Sequence, residues 1–318
     1  MKQIILLFTI FFLLGGAAQA QNECPGDSCI PAVIQDDCTT MESNGCIDWT
    51  NGVIYATGMG VPNPAFASQA QKRYSAYQAA KTVAQRNLLQ MVEGINITST
   101  STVKAGMLEN DEINTQISGK IKHVLEVGKP REMNDGSVWV TLKMHLQDIM
   151  SVLVNNRQFE SGEQVGSSNQ GFIQQSASST KAQPAPQNQP VPEADSQSDS
   201  LYGGDENTLY SGLIIDARGT GVVPAMSPKI YSPQGDEVYG SAAVDRDFVL
   251  KQGIVGYMKD LEKARENDRV KGNPLLIKAS LKSGQSADLT ISAEDSELLK
   301  KLDASQAFLR EARVMIVL

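Results

Sequence analysis

Apolar positions along this chain change period several times, and each change marks an element. Residues 4–14 are an almost unbroken apolar run. Val53-Ile54-Tyr55-Ala56 then predicts a strand, broken by Gly58, Gly60, Pro62 and Pro64. Phe66, Ala70, Tyr74, Tyr77, Ala80, Ala84, Leu88 and Met91 recur every three or four residues and predict a helix over Ala65–Val92, ended at Gly94. Its many alanines favour helix and allow close approach to a sheet. Ile95, Ile97 and the Thr/Ser run to Val103 favour a strand, and Glu109–Ser118 a shorter helix. Val138, Val140, Leu142, Met144 and Leu146 alternate with polar or mixed positions, which predicts a half-buried strand. Asp135-Gly136 is a two-residue hairpin signal that would join it to a strand over Ile121–Val127. In that register Leu125 faces Leu146, Val127 faces Met144, Glu126 faces His145, and His123 faces Asp148.

Beyond Val154 the pattern collapses. Gly162–Ser200 is dominated by Ser, Gln, Ala, Pro and Asn, too poor in apolar side chains to offset the entropy of ordering, and is read as a disordered linker within 155–207. A second ordered block spans 208–318. Leu213-Ile214-Ile215 is a strand, and residues 229–232 and 237–239 flank Pro233-Gln234-Gly235-Asp236 as a hairpin. Asn273–Leu281 is a candidate central strand, stopped by Ser283-Gly284. Ser292 is placed to cap a helix from Ala293, with Asp295 in its first turn and Leu298, Leu299 and Leu302 on its packing face. Residues 313–318 read as a buried final strand, open to strand addition if it lies at an edge. The fold class expected is α+β: two small α/β modules, the first with a long Ala-rich helix on an antiparallel sheet, each burying its apolar face separately.

The leading run changes what the modules are for. Lys2, the apolar stretch and Ala18-Gln19-Ala20 form an export signal over 1–20, so the expected location is the periplasm or outside the cell. Cys24 lacks a lipobox before it, so no lipid anchor is expected. No later apolar run is long enough to cross a bilayer. The four cysteines Cys24, Cys29, Cys38 and Cys46 all fall in segment 21–46, where an oxidising compartment favours disulfides. Three pairings are open. Zinc is disfavoured by the spacing, and no metal or cofactor is expected. With 28 Lys and Arg against 36 Asp and Glu, and no basic block, nucleic acid is not an expected partner.

Candidate chemistry is sparse. The histidine pairs, His123 with Asp148 and His145 with Glu126, fit cross-strand contacts better than catalysis. Trp139 falls on the face opposite the apolar row of its strand, where it packs or anchors a partner. Asp216 and Arg218 flank a glycine-bearing turn, Asp216-Ala217-Arg218-Gly219-Thr220-Gly221, that lacks the spacing and lysine of a phosphate loop. They form either a turn salt bridge or a site for a ligand carboxylate or sugar.

The segment Lys81-Thr82-Val83-Ala84-Gln85-Arg86-Asn87-Leu88-Leu89-Gln90-Met91-Val92-Glu93-Gly94-Ile95, with Asp135-Gly136-Ser137-Val138-Trp139-Val140, resembles the LPP20 lipoprotein family of bacterial envelope proteins. The likeness covers roughly Ile54–Ile149, within a first domain set at 47–154, and carries no catalytic residues. It implies relatives among outer-membrane lipoproteins and flagellar assembly proteins, although the lipid-bearing cysteine is missing here. Gly212–Gly219 followed by Pro224–Ile230 resembles a module that accompanies such domains. The expected function is a non-enzymatic envelope protein that binds or scaffolds outer-membrane or flagellar components, with peptidoglycan as a further partner class and oligomerisation open. The alternative is a periplasmic carbohydrate or peptidoglycan-acting enzyme that pairs Asp216 with Asp236 or Glu237.

Overall fold

The computed structural model describes residue 38 and residues 40–42, 44–157 and 202–318. The signal segment, Cys24, Cys29 and nearly all of the polar linker lie outside these. In the first module, β1 (Thr40–Glu42), β2 (Gly45–Asp48), β3 (Val53–Gly60) and β6 (Val138–His145) pair antiparallel in that order. The short strands β4 (Leu125–Glu126) and β5 (Arg131–Glu132) both join β6. Helix α1 (Gln69–Glu93) lies across the sheet.

Gly58 and Gly60 do not break β3 as the sequence suggests; they let α1 sit on it. A Cβ on Gly58 would lie 2.2 Å from the backbone N of Ala84 and 2.4 Å from the carbonyl of Ala80. One on Gly60 would lie 2.1 Å from the Ala76 carbonyl. The facing helix stripe, Ala76, Ala80, Ala84 and Leu88, is wholly buried. Two backbones therefore meet with almost no side chain between them. The helix starts at Gln69 rather than Ala65, and its first turns overhang the sheet, so Phe66 and Tyr74 are exposed.

Further expectations are corrected. The Ile95–Val103 stretch forms only a bridge between Asn96 and Thr102, and helix α2 (Val103–Glu109) follows, capped by Thr102. Helix α3 runs Asp111–Lys122, capped by the Asn110 side chain, because Ile113, Ile117 and Ile121 make one buried stripe that carries the helix past Ser118. The strand expected at Ile121–Val127 is thereby reduced to Leu125–Glu126, in a register that sets Leu125 beside Lys143 and Glu126 beside Leu142. Gly128, at φ +68°, and Pro130 separate it from β5. The Asp135-Gly136 turn does form, with Gly136 at φ +82°, but it links β6 to β5 within a loop closed by Met133 N to Ser137 O, 2.9 Å.

After β6 the chain turns directly into helix α4 (Leu146–Asn155). Leu146, Ile149, Met150, Val152, Leu153 and Val154 are all buried, around most of its circumference. A helix apolar all round must be covered on all sides, and the second module supplies the outer cover. There β10 (Gly256–Met258), β14 (Val314–Val317), β7 (Gly212–Asp216) and β11 (Pro274–Lys278) form a parallel sheet in that order. A small mixed sheet runs β12 (Ser280–Leu281), β13 (Leu289–Thr290), β8 (Ile230–Tyr231), β9 (Glu237–Tyr239). Helices α5 (Arg246–Gln252), α6 (Leu261–Glu266) and α7 (Ala293–Ser305) complete the module. Ser292 caps α7 as expected, accepting from Asp295 N at 3.0 Å. β11 is an edge strand rather than a central one. β14 lies between β10 and β7, so both its edges are already paired and it cannot accept an added strand.

The modules do not bury their apolar faces separately. One continuous hydrophobic cluster includes Ile149, Val152 and Leu153 of α4 together with Leu213, Ile215, Val249 and Ile316 of the second module, and α4 packs on α5. Backbone bonds cross the seam: Met226 N to Asn96 O at 2.9 Å and Ser227 N to Ile97 O at 2.7 Å. Lys259 Nζ reaches the carbonyl of Cys38 at 2.6 Å. Two α/β modules are present as expected, but they share an interior.

Gly58→Ala should destabilise the protein by more than about 2 kcal/mol, because the methyl has only backbone to displace. Gly119→Ala, on α3 with nothing within 4 Å of the new Cβ, should stabilise by about 0.5–1 kcal/mol. Urea midpoints at constant m-value measure both; equal signs would refute the contact account.

Candidate functional site

Asp216 ends β7 with its side chain nearly buried. Arg218 folds back on it two residues later: Nε donates to Oδ1 at 2.8 Å, Nη2 to Oδ2 at 2.7 Å, and the Arg218 amide to Oδ1 at 3.2 Å. The Tyr202 hydroxyl donates to Oδ2 at 2.6 Å, and Lys278 Nζ stands 4.4 Å from the Tyr202 ring centroid. The Arg218 fork, opposed by burial and aided by Tyr202, holds the Asp216 carboxyl down at about 2. This is the turn salt bridge of the two readings. Glu237, a proposed catalytic partner, pairs instead with Lys229 at 2.6 Å.

Trp139 lies half-buried on the sheet face away from α1, next to Met59 of β3 and Arg131 of β5. Cys38 and Cys46 form a disulfide at the far end of this face, packed by Tyr55 and Val127. The histidine pairings do not form. Asp148 pairs with Lys120 at 3.3 Å, His123 contacts its own helix at Gly119 O, and Glu126 takes Lys81 Nζ and Tyr77 Oη, each at 2.7 Å. Burial pushes Glu126 up, but those two donors outweigh it and leave it below the usual carboxylate range. Among the described residues no group of three or more His, Cys, Asp or Glu is placed to hold a metal.

A cavity that involves both modules lies elsewhere, at their seam, with a volume of about 340 Å³, a size typical of small-molecule sites. On the first-module side the tight turn after β2 sets its wall. Asp48 accepts from Asn51 N at 2.9 Å and from Asn51 Nδ2 at 2.7 Å, and Gly52 takes φ +65°. That turn aims Trp49 at Tyr257 of β10, edge to face with centroids 5.3 Å apart. Tyr257 Oη donates to Ala225 O at 2.8 Å and accepts from Ala225 N at 3.0 Å, fixing the 224–227 segment in the seam. Met150, Met226 and Met315 add apolar wall.

The cavity wall is mixed, apolar on the Trp49, Tyr257 and methionine side and polar elsewhere, and the half-buried Arg269 faces it. Arg269 donates to Ala312 O at 2.8 Å, Gly253 O at 3.4 Å and Gln252 O, the last two at the C-terminal end of α5. It forms no ion pair among the described residues. Burial draws it down to about 10, so it remains a cation at neutral pH. A Cβ on Gly256 would lie 3.1 Å from its Nε and 2.5 Å from Met315 Sδ, so glycine there keeps this end of the cavity open. Sequence reasoning missed Arg269, Trp49 and Tyr257, which become neighbours only when the modules dock. The seam itself left one trace, the apolar run Ile149-Met150-Ser151-Val152-Leu153-Val154.

Asp216 has its folded pKa depressed from 3.8 to about 2, so its stabilisation is present above the unfolded value and lost as pH falls through about 2. The shift corresponds to about 2 kcal/mol. Asp216→Asn should lower stability by roughly that amount at pH 7, and the gap to the parent should close between about pH 4 and pH 2. Chemical denaturation at stepped pH measures it; a pH-independent gap would show that the ion pair is not its source.

Among known families, the one described as Treponema pallidum Tp0624, second domain, matches residues 212–318. The match spans the second module from β7 to β14. No curated protein matches the chain.

Proposed function

We propose that this chain is a non-enzymatic, exported protein of the bacterial cell envelope that binds or scaffolds outer-membrane or flagellar components. The observation that carries the choice is the commitment of Asp216, the carboxylate on which the enzymatic alternative depends, and of Glu237, one of its two possible partners. Asp216 is held on both oxygens by Arg218 and Tyr202, and Glu237 is tied to Lys229. Acid–base chemistry needs a carboxyl free to exchange a proton near neutral pH, and an Asp216 held at about 2 is a poor choice.

Export is supported by the charged, apolar and small-residue pattern of residues 1–20, and the Cys38–Cys46 disulfide fits the oxidising periplasm. Among the described residues no helix is long and apolar enough to cross a membrane. The likeness of the second module to a Treponema pallidum protein's domain agrees with a bacterial setting. With the two modules sharing one interior, partners are recognised by a single body. Peptidoglycan remains a further partner class, and Trp139 with Met59 is the apolar patch we favour for protein contact.

Affinity capture of the full chain after mild crosslinking in its own envelope is expected to enrich defined outer-membrane or flagellar proteins, and Trp139→Ala to reduce that enrichment severalfold while leaving the fold intact. If the envelope proteins retained match those on an unrelated exported bait, the scaffold reading is lost.

A further inference from the structure

We infer that the seam cavity binds a small organic anion, a carboxylate with an apolar body, which docks its charge on Arg269 and its body against Trp49, Tyr257, Met150, Met226 and Met315. This adds a small-molecule ligand to the macromolecular partners proposed above, and it stands or falls separately from them.

The argument starts from the unbalanced charge. A guanidinium has five N–H donors, and Arg269 directs three hydrogen bonds to the carbonyls of Gln252, Gly253 and Ala312. Two donors, the Nε–H among them, are left without a partner among the described residues. The carbonyl dipoles fix the direction of the group but carry no net charge. Several other cations of the second module meet carboxylates within ion-pair distance: Arg218 with Asp216, Lys229 with Glu237, Lys301 with Glu206 and Arg313 with Glu311; Lys259 and Lys282, which meet a carbonyl and an aromatic ring instead, lie outside the cavity. Arg269, half-buried, has none, and a cation drawn part of the way out of water gains from an anion that completes its hydrogen bonds.

The remaining wall selects the rest of the ligand. Trp49 and Tyr257 present an edge-to-face aromatic pair, and three methionines give an adaptable apolar lining. The rest of the wall is polar, with Thr50, Asn51, His145, Gln147 and Asn267, so it is the aromatic and methionine side that favours an aryl or alkyl group over an inorganic ion. Asp268 also borders the cavity but makes no ion pair with Arg269, and it disfavours ligands carrying several negative charges. Because the walls come from both modules, an occupant touches both and stabilises their docking.

The test uses the full mature chain. It holds two tryptophans, and Trp139→Phe leaves Trp49 as the reporter. Phenylacetate and hexanoate are titrated against Trp49 emission beside their neutral amides. We expect saturable binding of at least one acid, weakened about tenfold or more in the amide and in Arg269→Gln, with ligand NOEs to the Trp49 indole and the methionine methyls. Removing Arg269 also frees three carbonyls, so Met226→Phe, which fills the cavity from another wall, provides an independent block; it should abolish binding with near-UV circular dichroism unchanged. No saturable binding of either acid, equal affinity for acid and amide, full binding in a folded Met226→Phe, or NOEs confined to other residues would each overturn the proposal.

Discussion

The structure turns on one helix that neither module can cover alone. Helix α4 carries large apolar side chains around most of its circumference, and the first sheet with α3 shields only part of it. The rest is covered by α5 and its neighbours. Burying several such side chains stabilises by roughly 1.5–3 kcal/mol each, far more than the few polar bonds that cross the same boundary. Those bonds instead fix the geometry. The 224–227 segment is pinned to Asn96 and Ile97 on one side and to Tyr257 on the other, which holds Trp49 and Tyr257 at their edge-to-face distance.

How much of this the chain announces depends on the range of the interaction that decides it. Period and capping are local, and they place α1, β6, β7, the 229–239 hairpin and α7 close to where they lie. Errors arise where a local signal has two physical uses. Gly58 and Gly60 resemble breakers, yet they serve close backbone contact, a use visible only once the Ala76, Ala80 and Ala84 stripe is set against them. Residues 121–127 alternate like a strand, but Ile121 also completes a four-residue period with Ile113 and Ile117, and burial of that stripe wins. Gly128 and Pro130, present in the sequence, were the clues that no long strand precedes the Asp135-Gly136 turn.

The chemistry follows the same division. Asp216 and Arg218 are two residues apart, so a salt bridge between them was one of two legible readings. Arg269 has no sequence context that marks it, since its partners are carbonyls at residues 252, 253 and 312 and its apolar neighbours come from both ends of the chain. A site built across a seam leaves only indirect traces in any one segment, here an overly apolar helix. Three strands of the parallel sheet, β7, β11 and β14, are announced by continuous apolar runs, because they are buried on both faces; β10, only three residues beginning with glycine, is not.

The order of that sheet has a consequence for how the second module closes. β7, at Gly212–Asp216, is flanked by β11 and by β14, at Val314–Val317, so its pairing on one side is made with a strand far along the chain. Until β14 docks, β7 and β10 have no shared neighbour and the parallel sheet stays in two pieces. The entropy of closing so long a loop must be offset before that contact forms, which makes insertion of β14 the slow step in completing the module.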